Sequence, residues 1–192
     1  MVTLNRIYTR TGDRGRTRLS TGEPVQKDCP RVAAYGAVDE TNSFVGLARL
    51  HTAGDPLLDV MLERIQNELF DLGADLATPD RGKDLGWEPL RILDSQVERL
   101  EQEIDRLNAE LSPLTSFVLP AGSAASTCLH VARTVARRAE RSVVTLSAIK
   151  GEVVSSAALK YLNRLSDFLF VAARWANGKG EAEVLWKPGA TR

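Results

Sequence analysis

The fold is decided by residues 55–79, which read DPLLDVMLERIQNELFDLGADLATP. Asp55 followed by Pro56 is typical of a helix start, and Pro79 marks the end of the segment. Between them, large apolar side chains recur every three or four residues, which is the spacing of one helix face. These side chains are Leu58, Met61, Leu62, Ile65, Leu69, Leu72 and Leu76. The stretch therefore predicts a long helix that buries one face.

Four further segments show helical periodicity on either side of this stretch. They are residues 28–54, 89–111, 123–149 and 155–178. In 89–111 the apolar stripe consists of Leu93, Val97, Leu100, Ile104, Leu107 and Leu111. Only short candidate strands remain, in TSFVLPAG and in the EVLW tail. Five helices, four of them expected to span 22 residues or more, predict an all-α bundle.

Composition limits the classes of function. The chain has 192 residues and no break in composition, which favours one domain over residues 1–192. Its 25 basic and 25 acidic side chains balance, so nucleic acid and anionic membranes are not expected partners. Two cysteines and two histidines argue against a disulfide framework and against a His-based metal centre. No apolar run is long enough to cross a membrane, and we expect a cytoplasmic protein.

Residues 7–22, IYTRTGDRGRTRLSTG, are unusual because they offer almost nothing apolar to bury. They contain four arginines, three glycines and several hydroxyl side chains. Glycine-rich backbone with threonine and arginine is suited to wrapping phosphates, since backbone N–H groups can turn towards the anion. Neither a Walker A loop nor a GxGxxG motif occurs in the chain. A solvated N-terminal arm is the alternative on composition alone.

The fourth helix carries Arg133, Arg137 and Arg141 at intervals of four residues, with His130 and Glu140 on or beside the same face. Such a stripe is explained either by a solvent-facing surface with intrahelical Glu–Arg pairs or by a polyanion site. The core face opposite is formed by Val135, Ala136, Ala139, Val143 and Leu146. Spacing alone leaves both explanations open.

Polar side chains also interrupt the apolar pattern of the first and fifth helices. The fifth has Asn163, Asp167 and Arg174 on roughly one face, and the first has Asp39 and Asn42 among small residues. A buried polar seam that fixes helix register is one interpretation, with a buried carboxylate–arginine pair within it. A binding site is the other.

Five segments, in this order, resemble the PduO-type ATP:cob(I)alamin adenosyltransferases, also called corrinoid adenosyltransferases. The segments are YTRTGDRGRTRL, KDCPRVAAYGAVDETNS, FVLPAGS, HVARTVARRAER and YLNRLSDFLFVAAR. The match is close over residues 6–50 and 117–175 and generic between about 78 and 115. One departure is Ala121, where the family usually has a second glycine, and we expect a small adjustment of that turn.

The resemblance implies a five-helix, ferritin-like (cobalamin adenosyltransferase-like) bundle (29–178) that follows an N-terminal ATP-binding segment (1–28) and precedes a C-terminal tail (179–192). It implies transfer of the 5′-deoxyadenosyl group of ATP to cobalt(I) of cobalamin, with triphosphate released. Nucleotide contacts carried over by motif are Thr9, Arg10, Thr11, Gly12, Thr17, Lys27, Arg137, Arg138, Glu140, Arg141 and Asn163. The predicted catalytic residues are Arg137, Asp39, Arg133 and Phe117. No residue is predicted to bind a metal directly, and Mg²⁺ is expected on the ATP phosphates.

The same resemblance implies a homotrimer with each site at a subunit boundary. Asp39 and Arg133 would pair across that boundary near the corrin, and Phe117 would displace the lower ligand of cobalt(II), which eases its reduction. A reductase and an adenosylcobalamin-dependent acceptor enzyme are possible partners. The alternatives are a corrinoid-independent nucleotide triphosphate hydrolase, a nucleic-acid-binding helical protein, and an inactive bundle that binds partners.

Overall fold

The computed structural model describes residues 7–192, and residues 1–6 of the predicted ATP-binding segment 1–28 lie outside the described part. The helices are α1 (Pro30–Arg49), α2 (Pro56–Ala77), α3 (Asp94–Asn108), α4 (Ala124–Ser147) and α5 (Ser156–Trp175). A two-stranded antiparallel hairpin precedes them, made of β1 (Arg16–Arg18) and β2 (Pro24–Gln26). The predicted five-helix, mainly helical fold is confirmed.

The helices form one bundle around a continuous apolar core. Helix α1 packs against α2 and α4, and α5 packs against α3 and α4. Two polar contacts join α2 to α5 and α3: the Tyr161 hydroxyl on α5 donates to the buried Glu68 at 2.8 Å, and the partly buried Arg64 pairs with Glu103 of α3. The apolar stripe predicted for α2 lies entirely in this core. Burial of these side chains is the main source of the bundle's stability.

Several predicted helix boundaries were too generous. Helix α1 ends at Arg49, and residues 50–54 form turns that precede the Asp55 cap of α2. Helix α3 begins at Asp94, so Leu93 is an exposed cap residue instead of a core residue. Only α2 and α4 reach 22 residues, because turns and caps occupy the ends that periodicity had assigned to helix.

The β1–β2 hairpin is anchored to the bundle. Leu19, between the strands, is only 4% exposed. Next to it, both the backbone N–H and the hydroxyl of Ser20 donate to the carbonyl of Ala77 at the end of α2, at 3.2 and 2.8 Å. A solvated, loosely held arm therefore does not describe residues 16–26, since a buried leucine and a side-chain anchor hold them.

The segment between α3 and α4 runs alongside the C-terminal tail, so the two short candidate strands lie next to each other. Val118 forms an isolated antiparallel bridge with Leu185. At the turn before α4, Gly122 has φ +103°, and a Cβ there would lie 2.3 Å from the Asn177 amide. Ala121 adopts no positive φ, so its replacement of the family's glycine leaves the turn unstrained.

No helix within residues 7–192 is both long and apolar enough to cross a membrane.

Candidate functional site

The first cluster of site residues lies in the loop before β1 and in the hairpin. Thr9, Thr11, Gly12 and Thr17 line a cavity of about 720 Å³, together with Arg16, Arg18 and Pro24. The Thr9 and Thr11 hydroxyls lie 2.9 Å apart. Arg10 has φ +61°, an uncommon conformation for a residue with a side chain, and its guanidinium lies 5.5 Å from the Tyr8 ring centre. Such backbone conformations concentrate at functional sites, which agrees with a ligand-binding loop.

Lys27 is held against this loop. Its backbone N–H donates to the carbonyl of Gly15 at 2.8 Å. Its ammonium approaches Gly12 so closely that a Cβ at position 12 would lie 3.0 Å from Nζ. The lysine therefore packs closely against Gly12, and its cation lies beside a residue that lines the cavity. A hydroxyl- and cation-lined cavity of this kind suits an anionic ligand.

A network of ion pairs holds the hairpin against the bundle. Arg81, after α2, contacts Glu23 of the hairpin and Glu152 of the α4–α5 loop. Glu152 also accepts two hydrogen bonds from Arg31 of α1, whose side chain is only 3% exposed. Burial raises the pKa of Glu152, but the hydrogen bonds from Arg31 and Arg81 outweigh it and leave that pKa below its ordinary value. The network places the cavity at a set position on the bundle.

The second cluster lies on the outer face of α4 and on α5. Arg137, Arg138 and Arg141 are exposed. Glu140 accepts a hydrogen bond from Asn163 of α5 at 2.9 Å, and Arg138 pairs with Glu40 of α1. The interpretation of this stripe as intrahelical Glu–Arg pairs is therefore wrong, because its carboxylate is used by the neighbouring helix. Arg137 and Arg141 form no ion pair among residues 7–192, so both charges face outward.

Arg133 lies between the exposed arginines and the core. It is half-buried, and burial followed by the charge of Arg137 lowers its pKa. Its Nε donates to Nδ1 of His130 at 3.3 Å. His130 itself is buried, with Phe170 of α5 beside it, so it lies beside the arginine face and not on its exposed part. No carboxylate of the described chain pairs with Arg133.

Asp39 is exposed and forms no ion pair within the described part of the chain. With Tyr35, Gly36 and Phe70 it lines a mainly apolar cavity of about 310 Å³ between α1 and α2. Asn42 lies at the same cavity, and its Oδ1 is buried without a partner. The predicted Asp39–Arg133 pair is thus not made within one chain, and both members are open to a second molecule.

The polar seam predicted for α5 is divided between surface and interior. Asn163 and Asp167 are exposed, whereas Arg174 is buried and pairs with Glu183 of the tail at 2.5 Å. The three side chains therefore do not form one buried seam. Arg174 has a structural role: it also donates to the carbonyl of Ser112 at 2.6 Å and so holds the tail against the end of the bundle.

Phe117 is 76% exposed, so it is not a core aromatic residue. Its ring centre lies 6.0 Å from that of Trp186 in the tail, and its carbonyl accepts the Trp186 N–H at 2.8 Å. Ser116 strengthens the pairing, since its hydroxyl donates to the Trp186 carbonyl at 2.7 Å. The rings of Phe117 and Trp186 therefore form an exposed apolar surface that the rest of the described chain leaves uncovered.

The two clusters are separate within one chain. No hydrogen bond or ion pair between described residues joins the loop and hairpin residues, from Thr9 to Lys27, to the α4–α5 residues, from Arg133 to Asn163. Within that same range, no group of three or more His, Cys, Asp or Glu side chains is arranged to hold a metal ion.

Some residues that shape the site carry no signal in the sequence. Glu152 and Asn177 act through contacts with residues more than fifty positions away, and Trp186 lies in a tail that periodicity reads only as apolar. Ser20 is the exception, because a serine beside the one leucine of a polar stretch marks an attachment point.

Comparison with known proteins identifies the family. The model of the cobalamin adenosyltransferase family matches residues 7–176. The chain is 50% identical over 193 residues to a corrinoid adenosyltransferase of Mycobacterium tuberculosis, covering 100% of this chain and 97% of that protein. It is 45% identical over 177 residues to that of Bacillus subtilis, covering 91% and 88%. None of these matches supports the hydrolase or nucleic-acid interpretations.

Solved structures support the same family assignment. A variant PduO-type ATP:corrinoid adenosyltransferase from Lactobacillus reuteri, complexed with cobalamin and ATP, superposes with a TM-score of 0.86 at 39% identity and covers 95% of this chain and 97% of its own. A second variant from the same organism, complexed with ATP, gives a TM-score of 0.82 at 40% identity over 94% of this chain and 100% of its own.

Proposed function

The chain belongs to the cobalamin adenosyltransferase family, and we propose that its two separate clusters are the two halves of an ATP site. The protein is a transferase that moves the 5′-deoxyadenosyl group of ATP to the cobalt(I) of a corrinoid. The products are adenosylcobalamin and triphosphate. ATP and cobalamin are both substrates of this reaction.

The reaction requires the protein to stabilise negative charge on the leaving triphosphate. An electron pair from cobalt(I) forms the bond to C5′, the C5′–O bond breaks, and its electron pair leaves on the triphosphate. Negative charge therefore grows on the phosphate oxygen as the bond breaks, and preorganised cations stabilise it without further rearrangement. Arg137 and Arg141 meet this demand, because both are exposed and neither is neutralised by a carboxylate of the described chain.

We assign Arg137 as the residue that binds the polyphosphate during the reaction. Arg138, Glu140, Arg141 and Asn163 complete the helical half of the ATP site. The Glu140–Asn163 hydrogen bond fixes the two helices at the distance seen here. The other half consists of Thr9, Arg10, Thr11, Gly12, Thr17 and Lys27.

The observation that carries the proposal is the separation of these halves in one chain. The loop cluster lines its own cavity, and the helical cluster faces outward elsewhere. Within the described part of the chain, each half has cations without a carboxylate partner. A homotrimer whose sites lie at subunit boundaries, with the loop of one subunit facing α4 and α5 of the next, completes every site.

The corrin part of the site follows the same logic. Among residues 7–192, Asp39 has no cation partner and Arg133 has no carboxylate partner, and we propose that they pair with each other across the subunit boundary beside the corrin. Phe117, presented with Trp186, supplies the apolar surface that displaces the lower ligand of cobalt(II). A four-coordinate cobalt(II) is easier to reduce to the nucleophilic cobalt(I). The reductase, the recipient enzyme, the preferred corrinoid and a cytoplasmic location stay predictions.

The test is an anaerobic assay with chemically reduced cobalamin, Mg²⁺ and ATP that follows loss of the cobalt(I) absorbance. Arg137→Ala is expected to lower kcat by about 10²–10³, the effect of removing one preorganised charge-stabilising group. Arg106→Ala is the matched control, because Arg106 is an exposed arginine on α3, outside both clusters. It should react at the parent rate.

Two results would contradict the proposal. No light-sensitive adenosylcobalamin from the folded parent would refute the function itself. Equal activity of Arg137→Ala and Arg106→Ala would refute the assignment of Arg137 while leaving the function intact.

A further inference from the structure

Arg133 differs from the other arginines of the described chain in the kind of group that orients it. Nine arginines have a carboxylate within ion-pair distance: Arg31, Arg49, Arg64, Arg81, Arg91, Arg99, Arg138, Arg164 and Arg174. Arg133 instead donates its Nε–H to Nδ1 of His130, at 3.3 Å. An imidazole that accepts a hydrogen bond at Nδ1 is neutral and carries its proton at Nε2.

The surroundings of His130 hold it in that neutral form. The side chain is 1% exposed and lies 6.2 Å, ring centre to ring centre, from Phe170 of α5. Burial and the charge of Arg133 lower its pKa, and only the more remote Glu183, already paired with Arg174, acts in the opposite direction. A neutral acceptor orients a guanidinium without cancelling its charge.

The buried Nε2 of His130 lowers the stability of the fold, so packing alone does not explain a histidine at this position. Nε2 of His130 is buried and has no hydrogen-bond partner among residues 7–192. A buried donor left without a partner destabilises a fold, so an apolar side chain of similar shape would suit this place in the core better. The imidazole therefore provides something other than stability, and its one polar contact is with Arg133.

We propose that His130 is a positioning residue for the adenosyl transfer: as a neutral acceptor it aims the Arg133 guanidinium outward and leaves its full charge for an anionic partner. This rests on the proposed function, in which that partner is Asp39 of the neighbouring subunit beside the corrin. A carboxylate at position 130 would orient Arg133 equally well but would neutralise it. His130 thus acts on corrinoid binding through Arg133 and does not touch ATP.

The paired variants His130→Leu and His130→Asn test the inference. Leucine and asparagine have the same branched shape, but only asparagine offers an oxygen near the place of Nδ1. We expect His130→Leu to lower kcat/KM for the corrinoid by about 10–100-fold, the effect of one hydrogen bond to a charged group, and to leave KM for ATP unchanged. His130→Asn should keep most of the activity. The thermal unfolding midpoint of His130→Leu should equal or exceed that of the parent.

A double-variant comparison separates a positioning role from a structural one. In an Arg133→Ala background, His130→Leu should cause no further loss, because the group that it orients is gone. Equal losses for leucine and asparagine, additive losses with Arg133→Ala, or a rise in KM for ATP would overturn the inference. Each of these results leaves a working parent enzyme, whereas a parent that forms no adenosylcorrinoid would overturn the proposed function and this inference together.

Nitrogen NMR of the imidazoles tests the contact without any activity. The chain has only two histidines, so ¹⁵N-histidine labelling gives two imidazoles, and His130→Asn identifies which signals belong to position 130. At pH 7.5 we expect an unprotonated Nδ1 and a protonated Nε2 for His130, whatever the state of the exposed His51. A protonated Nδ1 in the parent would overturn the inference even if the variants fail to fold.

Discussion

Glu152→Ala is expected to destabilise the fold by about 3–5 kcal/mol, because it leaves a buried cation without its counter-charge. The Arg31 side chain is 3% exposed, and both its Nε, at 3.0 Å, and its Nη2 donate to the Glu152 carboxylate. After the substitution only the carbonyls of Leu76 and Val153 would accept from Arg31. Two neutral carbonyl oxygens do not replace a carboxylate for a guanidinium that water does not reach.

Glu152→Gln is expected to cost less, about 1.5–3 kcal/mol, since the amide oxygen still accepts a hydrogen bond but carries no charge. Glu98→Ala is the matched control: Glu98 is exposed on α3 and has no polar contact in the described structure, so its loss should stay within about 0.5 kcal/mol. The assay is urea unfolding at pH 7.5 and at one protein concentration, because subunit association adds to apparent stability.

The pH dependence of this contribution has a definite sign. Glu152 has a pKa below its ordinary value in the folded protein, so the folded state favours the carboxylate. Its stabilisation is fully present above the unfolded pKa of about 4.3 and is lost as pH falls through the lower folded pKa. The difference in stability between the parent and Glu152→Gln should therefore be constant from pH 6 to 8 and shrink in acid.

The double variant Arg31→Met, Glu152→Leu separates the missing charge from lost packing. Removing both members leaves no buried unpaired ion, so most of the stability should return. The reasoning is refuted if Glu152→Ala costs no more than Glu98→Ala. It is also refuted if the double variant is as unstable as Glu152→Ala alone.

Three further predictions concern the turn, the core and the corrin surface. Gly122→Ala should destabilise the protein by more than about 2 kcal/mol in thermal or urea unfolding, because φ is +103° and the new Cβ would collide with Asn177. Tyr161→Phe should cost about 1–3 kcal/mol by the same measurement, because it removes one donor from the buried Glu68 carboxylate. Phe117→Ala should react at near the parent rate with supplied cobalt(I) but fail when the reaction starts from cobalt(II) with a reductase.

Each of these has a matched control in the chain. Gly82→Ala has positive φ but open space around it, so it should cost about 1 kcal/mol, the conformational part alone. Tyr35→Phe removes a hydroxyl that contacts no carboxylate and should be close to neutral. Leu90→Ala removes another exposed apolar side chain, outside the tail and the segment that pairs with it, and should not distinguish cobalt(I) from cobalt(II). Variants that behave like their controls would contradict the corresponding prediction.

Helical periodicity and cap residues were enough to predict the number of helices and the core of α2, since these depend on local sequence. They were not enough for helix ends: Leu93 fits the stripe of α3 but serves as its cap, a role that depends on the turn before it. The loop and the arginine stripe were also recognisable, because arginines and glycines are unusual where an apolar face is expected.

Contacts between distant segments could not be predicted. Periodicity placed His130 on or beside the arginine face, but it could not show that the side chain is buried next to Phe170 of α5. Glu140 has arginines within one turn, yet it bonds Asn163, because the packing of α4 on α5 brings the amide closer. Glu152 is one acid among many in the sequence, and only the fold shows that it holds Arg31 and Arg81 together.

The most direct test of the divided site uses two variants, each damaged in a different half. Lys27→Ala affects the loop half and Arg137→Ala the helical half, and each alone should be nearly inactive. Co-expression with two different tags and purification on both yields only mixed oligomers. In a trimer whose sites each join the loop of one subunit to α4 and α5 of the next, every mixed assembly has one fully intact site, so kcat per chain should return to about one third of the parent. Mixed assemblies as inactive as the single variants would contradict the account, because both halves would then belong to one chain.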